Sequence, residues 1–372
     1  GIGKSTLLLD VAARAARAGG RVLYVSGEES TAQVRTRAER IGAMAASLYL
    51  ASETDLATVL GQVERLKPDL LIVDSIQTIG SAEVEGQAGN VSQVREVAAS
   101  IIAAAKERGI AVLLVGHVTK DGSIAGPRVL EHLVDVVIQF EGDRHSRLRL
   151  VRAVKNRYGP TDEVGCFDLS EAGIIGLPDP SGLFLSSREH TVAGTCVTVT
   201  LEGRRPLVAE VQALVATSSL PSPRRTSSGL DAARLAMIIA VLDKRAGAPV
   251  GSHDIFAATV GGVRLTEPAA DLAVVLALAS SVTDRPLPRD LVAFGEVGLA
   301  GEIRRVSGVD RRLADAARLG FRFALVPTGG LADVRVPAGI RALEVADVAG
   351  AMDSVGEVAR RRTTEAVGAI SP

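Results

Sequence analysis

The chain opens GIGKSTLLLD. Gly1, Ile2, Gly3, Lys4, Ser5 and Thr6 have the types and spacing of the end of a phosphate-binding loop, G-x-x-x-x-G-K-[ST], without its first three residues. In that loop backbone N–H groups and a helix N-terminus point at phosphate oxygens. Lys4 would reach the β- and γ-phosphates, and the Ser5 hydroxyl would ligate Mg²⁺. Gly1 and Gly3 would let the backbone approach where a Cβ would collide with phosphate. Taken alone, the fragment also fits a glycine-rich helix cap. Three further residues supply context. Asp74 ends the apolar run LLIVD, the expected place for a carboxylate that holds Mg²⁺ through water beside Ser5; an ordinary helix N-cap is the plain alternative. Glu28 follows a strand-like run in YVSGEES and could deprotonate an attacking water, with Glu29 as its local competitor. His117 closes LLVGH, where a polar side chain could sense the γ-phosphate.

These residues need a scaffold that brings strand ends together. The runs at 21–30, 69–78, 109–120 and 133–142 are apolar and β-like, and the stretches at 7–20 and 92–109 are amphipathic and closed by Gly. Strand–helix alternation with continuous apolar strands predicts an α/β domain, a mostly parallel sheet with helices on both faces. Residues 147–174 read as antiparallel hairpins turning at Tyr158-Gly159-Pro160. A Pro-, Ser- and Gly-rich shift at 177–190 places the domain boundary, giving a first domain at 1–178, a linker at 179–193, a second domain at 194–352 and a C-terminal tail at 353–372. A further polar link is expected at 216–229.

Composition bounds the function. The 372 residues suffice for two cored domains. A net charge of −1 gives no global basic field, so nucleic-acid binding would rest on local patches or assembly. With 3% aromatics and no Trp, base-stacking platforms are not expected. Cys166 and Cys196 are too few for a four-ligand zinc site and read as reduced thiols of a cytoplasmic protein. The apolar run at 272–281 is too short to span a bilayer, so no membrane partner is expected.

The ordered set GIGKST, YVSGEES, LLIVDSIQT, GHVTKDGSIAGPRVLEHLVD and KNRYG resembles the bacterial RadA (Sms) family of RecA-like DNA-repair ATPases. The resemblance covers essentially the whole chain, and Tyr158 stands where the family often has Phe. It implies a RecA-like P-loop core followed by a Lon-protease-like α/β domain. It makes Lys4, Glu28, Asp74 and His117 the catalytic set, and Lys155 and Arg157 of KNRYG a cation pair that reaches a neighbouring subunit's nucleotide. Spacing alone would read that pair as an exposed basic strand. The implied cofactors are ATP and Mg²⁺. The implied partners are single-stranded and branched DNA, further copies of the chain in a hexamer, and a RecA-type recombinase. Zn²⁺ is expected only in a four-cysteine module that the family carries ahead of this segment. On this reading the opening marks a cut in the loop, which would impair phosphate binding by the chain as given.

DNA would meet the loops after Asp74 and His117, of which the second offers Lys120 and Arg128, and the basic stretches with Arg224, Arg225, Arg304, Arg305, Arg311 and Arg312, with helix-surface charge as the plain alternative for two of the last four. In the Lon-like part Ala269 stands at the place of the nucleophilic Ser and Asp310 at the place of the Lys base, so the fold is expected without the protease chemistry. Ser252, Ser280 and Ser281 lack a base at matching spacing. The expected function is a hexameric, ATP-driven single-stranded-DNA translocase in recombinational repair, driving branch migration. The alternatives are an ATP-dependent Lon-type peptidase and a non-motor RecA-like regulatory ATPase.

Overall fold

The computed structural model describes residues 3–117, 129–142, 147–170, 173–181, 184–185 and 191–368, the last eight by backbone only. The chain divides into two compact units, Gly1–Leu177 and Pro178–Pro372.

The first unit is built on a parallel sheet. Helix α1 (Lys4–Arg17) leads to β1 (Val22–Ser26), α2 (Thr31–Arg40), β2 (Leu48–Ser52), α3 (Leu56–Leu66), β3 (Leu70–Asp74), α4 (Val91–Arg108) and β4 (Ala111–Leu114). The strand order is β2-β1-β3-β4, all parallel. Alternation along each strand splits the core into two layers. Leu23, Val25, Leu71 and Val73 face Val59 and Val63 of α3 and Val94, Val97 and Ile101 of α4. Val22, Tyr24 and Ile72 face Leu9, Ala12, Ala13 and Ala16 of α1 and Val34 and Ala38 of α2. Both faces are therefore covered, which is why these strands read as unbroken apolar runs.

The fourth apolar run does not join this sheet. Strand β5 (Val136–Glu141) pairs antiparallel with β6 (Leu148–Asn156), followed by β7 (Val164–Ser170) and β8 (Gly173–Gly176) in a separate sheet of order β5-β6-β7-β8. The short β5–β6 link permits a hairpin, whereas a parallel neighbour needs a longer crossover. Conversely, β2 was not legible in the sequence: it is a half-exposed edge strand and lacks a continuous apolar run.

The second unit is a mixed seven-stranded sheet. Its strands are β9 (Thr195–Glu202), β10 (Arg205–Thr217), β11 (Arg225–Ser228), β12 (His253–Thr259), β13 (Leu291–Ala293), a β14 (Glu296–Val297)–β15 (Ile303–Arg304) ribbon outside the sheet, β16 (Phe323–Pro327) and β17 (Arg341–Val345). The order is β11-β12-β10-β9-β13-β16-β17. Its helices are α5 (Ala232–Arg245), α6 (Asp271–Thr283), α7 (Val309–Arg318) and α8 (Val348–Gly368). Residues 271–280 of α6 are all buried, so the longest apolar run is a core helix. Among the described residues no helix is long and apolar enough to cross a membrane.

Three stretches expected as connections are structured. The 216–229 link contains the end of β10 and the whole of β11. Within the expected linker Phe184 is fully buried, and its carbonyl accepts from Glu210 N–H. From 353 the chain continues α8 to Gly368, with Ala351 and Val358 buried on one helical face; apolar residues seven apart lie two turns apart on the same side.

Candidate active site

Parallel strands release the chain at one edge of their sheet, and residues that follow them converge there. Gly3 caps α1 at φ 99°, a left-handed conformation that favours glycine, and a Cβ on it would stand 3.2 Å from the Leu169 side chain. The cap turns Lys4 toward the segment after β4. Its Nζ donates to Gly116 O at 2.9 Å and lies 3.1 Å from His117 Nδ1. Burial pulls the Lys4 ammonium below its ordinary range, against the opposing pull of Asp74 and Glu28. A partly desolvated ammonium facing a carbonyl and an imidazole still has donor capacity for an anion.

Asp74 ends β3 and is 7% exposed. The buried Tyr24 hydroxyl donates to its Oδ2 at 2.6 Å. Burial pushes the Tyr24 phenol up, and the Asp74 charge adds to the shift. The Asp74–Ser75 peptide is cis. Glu28 follows β1 with its side chain half exposed. Its Oε1 accepts from Ser75 Oγ at 2.9 Å and lies 3.4 Å from His117 Nε2. Gln77 Nε2 donates to His117 O at 3.1 Å. Lys4, His117, Glu28 and Ser75 thus form one connected polar chain, with Asp74 adjoining Ser75 in sequence. Glu29, the competing acid, is ion-paired with Arg37 of α2. Ser5 and Thr6 lie in the first turn of α1. Gly1, Ile2, Lys120 and Arg128 lie outside the described residues.

The donor set fits a nucleotide-borne Mg²⁺. Such an ion takes one or two protein oxygens and completes its shell with phosphate and water. Ser5 offers a hydroxyl, and among the described residues Asp74 Oδ1 takes no hydrogen bond while Tyr24 occupies Oδ2. Among the described residues no cluster of three or more His, Cys, Asp or Glu could hold a metal ion on its own.

Lys155 and Arg157 stand at the end of β6. Lys155 Nζ donates to the carbonyls of Glu131 and Val134, at 2.6 and 2.8 Å. Arg157 pairs with Asp135 at 3.0 Å, with more than half of its side chain exposed. Tyr158 is 79% exposed.

The second unit corrects one expectation outright. Arg312, expected among the DNA-binding cations, has a fully buried side chain paired with Glu267. It also donates to Ser307 O at 3.0 Å and lies 5.7 Å above the Phe294 ring. Glu267 in turn accepts from Thr200 Oγ1 and Leu201 N–H, at 3.0 and 2.8 Å. Apolar surroundings demand such a partner for every charge. Arg304 is exposed but paired with Glu302 and Glu296, and Arg305 and Arg311 are exposed. Arg224 and Arg225 are exposed at the start of the edge strand β11 rather than in a link, with Arg224 N–H donating to Asp254 at 2.7 Å. Ala269 is buried two residues after Glu267, and Asp310 is exposed in the first turn of α7. Ser280 and Ser281 accept from the N–H groups of Gly194 and Val215, at 2.9 Å each, which are structural duties. Ser252 Oγ lies 3.4 Å from His253 Nδ1 on the surface, a neighbouring base that spacing reasoning passed over.

Tyr24, Ser75 and Gln77 went unrecognised in the sequence. The available signals were a phenol within the apolar run Val22–Val25, and hydrogen-bonding side chains soon after Asp74.

The family model for the AAA domain matches residues 1–123, and that for the Lon protease (S16) C-terminal proteolytic domain matches residues 255–361. The DNA repair protein RadA of Mycobacterium tuberculosis (strain CDC 1551 / Oshkosh) is 57% identical over 366 residues, covering 98% of this chain and 76% of the relative. The DNA repair protein RadA of Streptococcus pneumoniae is 48% identical, over 94% of this chain and 83% of the relative. The DNA repair protein RadA of Bacillus subtilis (strain 168) is 46% identical, over 95% and 77%. With a P-loop-type α/β unit leading, a Lon-like unit following and these relatives spanning both, the chain belongs to the RadA family of DNA repair proteins.

Proposed function

We propose that this DNA-repair ATPase is a hexameric motor that moves single-stranded DNA and drives branch migration of recombination intermediates in the cytoplasm, alongside a RecA-type recombinase. The observation that carries the reading is the convergence of Lys4, Glu28, Asp74 and His117 at one edge of the parallel sheet. Lys4 binds the β- and γ-phosphates of ATP. Ser5 and Asp74 would hold the Mg²⁺, which when bound would offset phosphate charge. Glu28, oriented by Ser75, takes a proton from the attacking water as the γ-phosphate is cleaved to inorganic phosphate and ADP. An anion that takes Lys4 draws it from His117 and Gly116 O. That exchange would couple phosphate occupancy to residues 118–128, which follow His117 directly and carry Lys120 and Arg128. Arg157, and Lys155 once released, would complete the neighbouring subunit's site. Arg224, Arg225, Arg304, Arg305 and Arg311 are the candidate DNA contacts of the second unit.

The peptidase alternative lacks its nucleophile, since Ala269 cannot attack a carbonyl. The test is ATP turnover with increasing single-stranded DNA. Stimulation is expected in the wild type, and Lys4→Ala should abolish hydrolysis. Failure of single-stranded DNA to bind or to change turnover would refute the motor, and ATP-dependent casein cleavage would favour the peptidase.

A further inference from the structure

The buried Tyr24–Asp74 contact has no counterpart in the mechanism above. Tyr24 is 1% exposed and sits in the middle of the all-buried strand β1, whose other polar side chain, Ser26, accepts from Glu29 N–H at its end. Its ring packs with Leu9, Ala12, Val34 and Ile72 between the sheet and helices α1 and α2. Its hydroxyl emerges from that layer at Asp74 Oδ2, 2.6 Å away. Strands β1 and β3 are parallel, with Tyr24 opposite Ile72 and Ser26 opposite Asp74. The phenol therefore leans two residues along the strand direction to reach the carboxylate. Among the described residues this is the only side-chain hydrogen bond that Asp74 receives. Phe would fill the same apolar space, so packing does not call for the oxygen. A phenol bonded to a carboxylate fixes its torsion through a short charge-assisted bond.

We propose that Tyr24 is a positioning residue for the metal-binding end of the site: its hydroxyl occupies Asp74 Oδ2 and fixes the carboxylate, reserving Oδ1 for the hydrated Mg²⁺ of the nucleotide. This deepens the ATPase reading and rests on it. Tyr24 touches neither phosphate nor metal and acts through Asp74. Removing the hydroxyl frees the carboxylate to rotate and leaves two competing oxygens, so divalent-ion affinity falls while metal-free nucleotide binding stays.

Two measurements test this. The first is Mn²⁺ binding to the ADP-loaded protein, followed by electron paramagnetic resonance of free Mn²⁺. Tyr24→Phe should weaken Mn²⁺ about 10-fold, the low end of the range for lost outer-contact support to a metal ligand. Asp74→Ala should weaken it too, and Tyr24→Phe added to Asp74→Ala should change it no further, because coupled residues are non-additive. Unchanged Mn²⁺ affinity in folded Tyr24→Phe, or equal losses with and without the Asp74 carboxylate, overturns the proposal. The second is read on the wild-type chain and needs no folded variant at Tyr24. With three tyrosines in the sequence, Tyr24, Tyr49 and Tyr158, a ¹³Cζ-tyrosine spectrum holds three resonances, assigned with Tyr49→Phe and Tyr158→Phe. Adding Mg²⁺ to the ADP complex should move the Tyr24 resonance; a stationary resonance overturns the proposal. Wild-type protein with a complete phosphate-binding loop that binds no ADP would instead sink the ATPase reading itself.

Discussion

At the residue scale, the site separates two neighbouring acids by their partners. Glu29 is turned back onto α2 and neutralised by Arg37, whereas Glu28 is held by one neutral hydroxyl and one imidazole. A base must keep an accessible lone pair and a fixed direction, and Ser75 supplies the direction. Ser75 is fully buried, so its hydroxyl has no water to turn to. Ser75→Ala should lower kcat roughly tenfold, because orientation is part of the ~10²–10⁴-fold that a general base contributes. ATP affinity should stay constant, since among the described residues the Ser75 hydroxyl bonds to Glu28 and not to Lys4, Ser5 or Thr6. Single-turnover hydrolysis alongside nucleotide titration separates the two quantities. An unchanged hydrolysis rate would show that His117 alone orients Glu28.

At the element scale, what positions Glu28 is the turn leaving β1. Gly27 N–H donates to Asp74 O at 3.0 Å, and a Cβ on Gly27 would stand 1.8 Å from Thr78 Oγ1 and 2.7 Å from Thr78 Cβ. Thr78 cannot swing away freely, because its hydroxyl donates to Ser75 O at 2.7 Å. Gly27→Ala should therefore push the β1 exit off the β3 exit and cost up to about 100-fold in kcat, the scale of a displacement near 1 Å. Thr78→Gly placed on top should restore part of the rate. Absence of rescue, measured as steady-state ATP turnover, would mean that the damage comes from elsewhere. Much of this scaffold was legible: Asp74, Glu28 and His117 were read from apolar runs that end in a polar residue, and three of those runs are β1, β3 and β4. What stayed hidden has common physics. The edge strand β2 lacks a continuous apolar run because solvent takes one side. Arg312 is written like a surface cation, and only the fold brings Glu267 to it from 45 residues away. The 353–368 stretch is rich in charge and small residues, yet it continues α8, on which Val348, Ala351 and Val358 are buried.

At the scale of the whole molecule, the question is whether one chain completes its own site. Lys155 is tied to two backbone carbonyls of its own subunit, whereas among the described residues the Arg157 side chain is held by one exposed pair, with Asp135. Exposed pairs contribute about 0–1 kcal/mol, so a phosphate of a neighbouring subunit could displace Asp135 readily. A ring built from head-to-tail contacts gives every nucleotide one donor subunit and one acceptor subunit. Lys4→Ala removes the acceptor function and leaves the donor intact; Arg157→Ala does the reverse. Each variant alone should be inactive or nearly so, with Arg157→Ala still binding ATP. Mixed in equal amounts and allowed to exchange subunits, they should regain activity. An active interface then needs an intact Lys4 on one side and an intact Arg157 on the other, which random mixing produces at about a quarter of interfaces. Turnover of the mixture should accordingly approach about 25% of wild type. If Arg157 acts within its own chain, no arrangement of the two variants contains a complete site, and the mixture stays as inactive as its components.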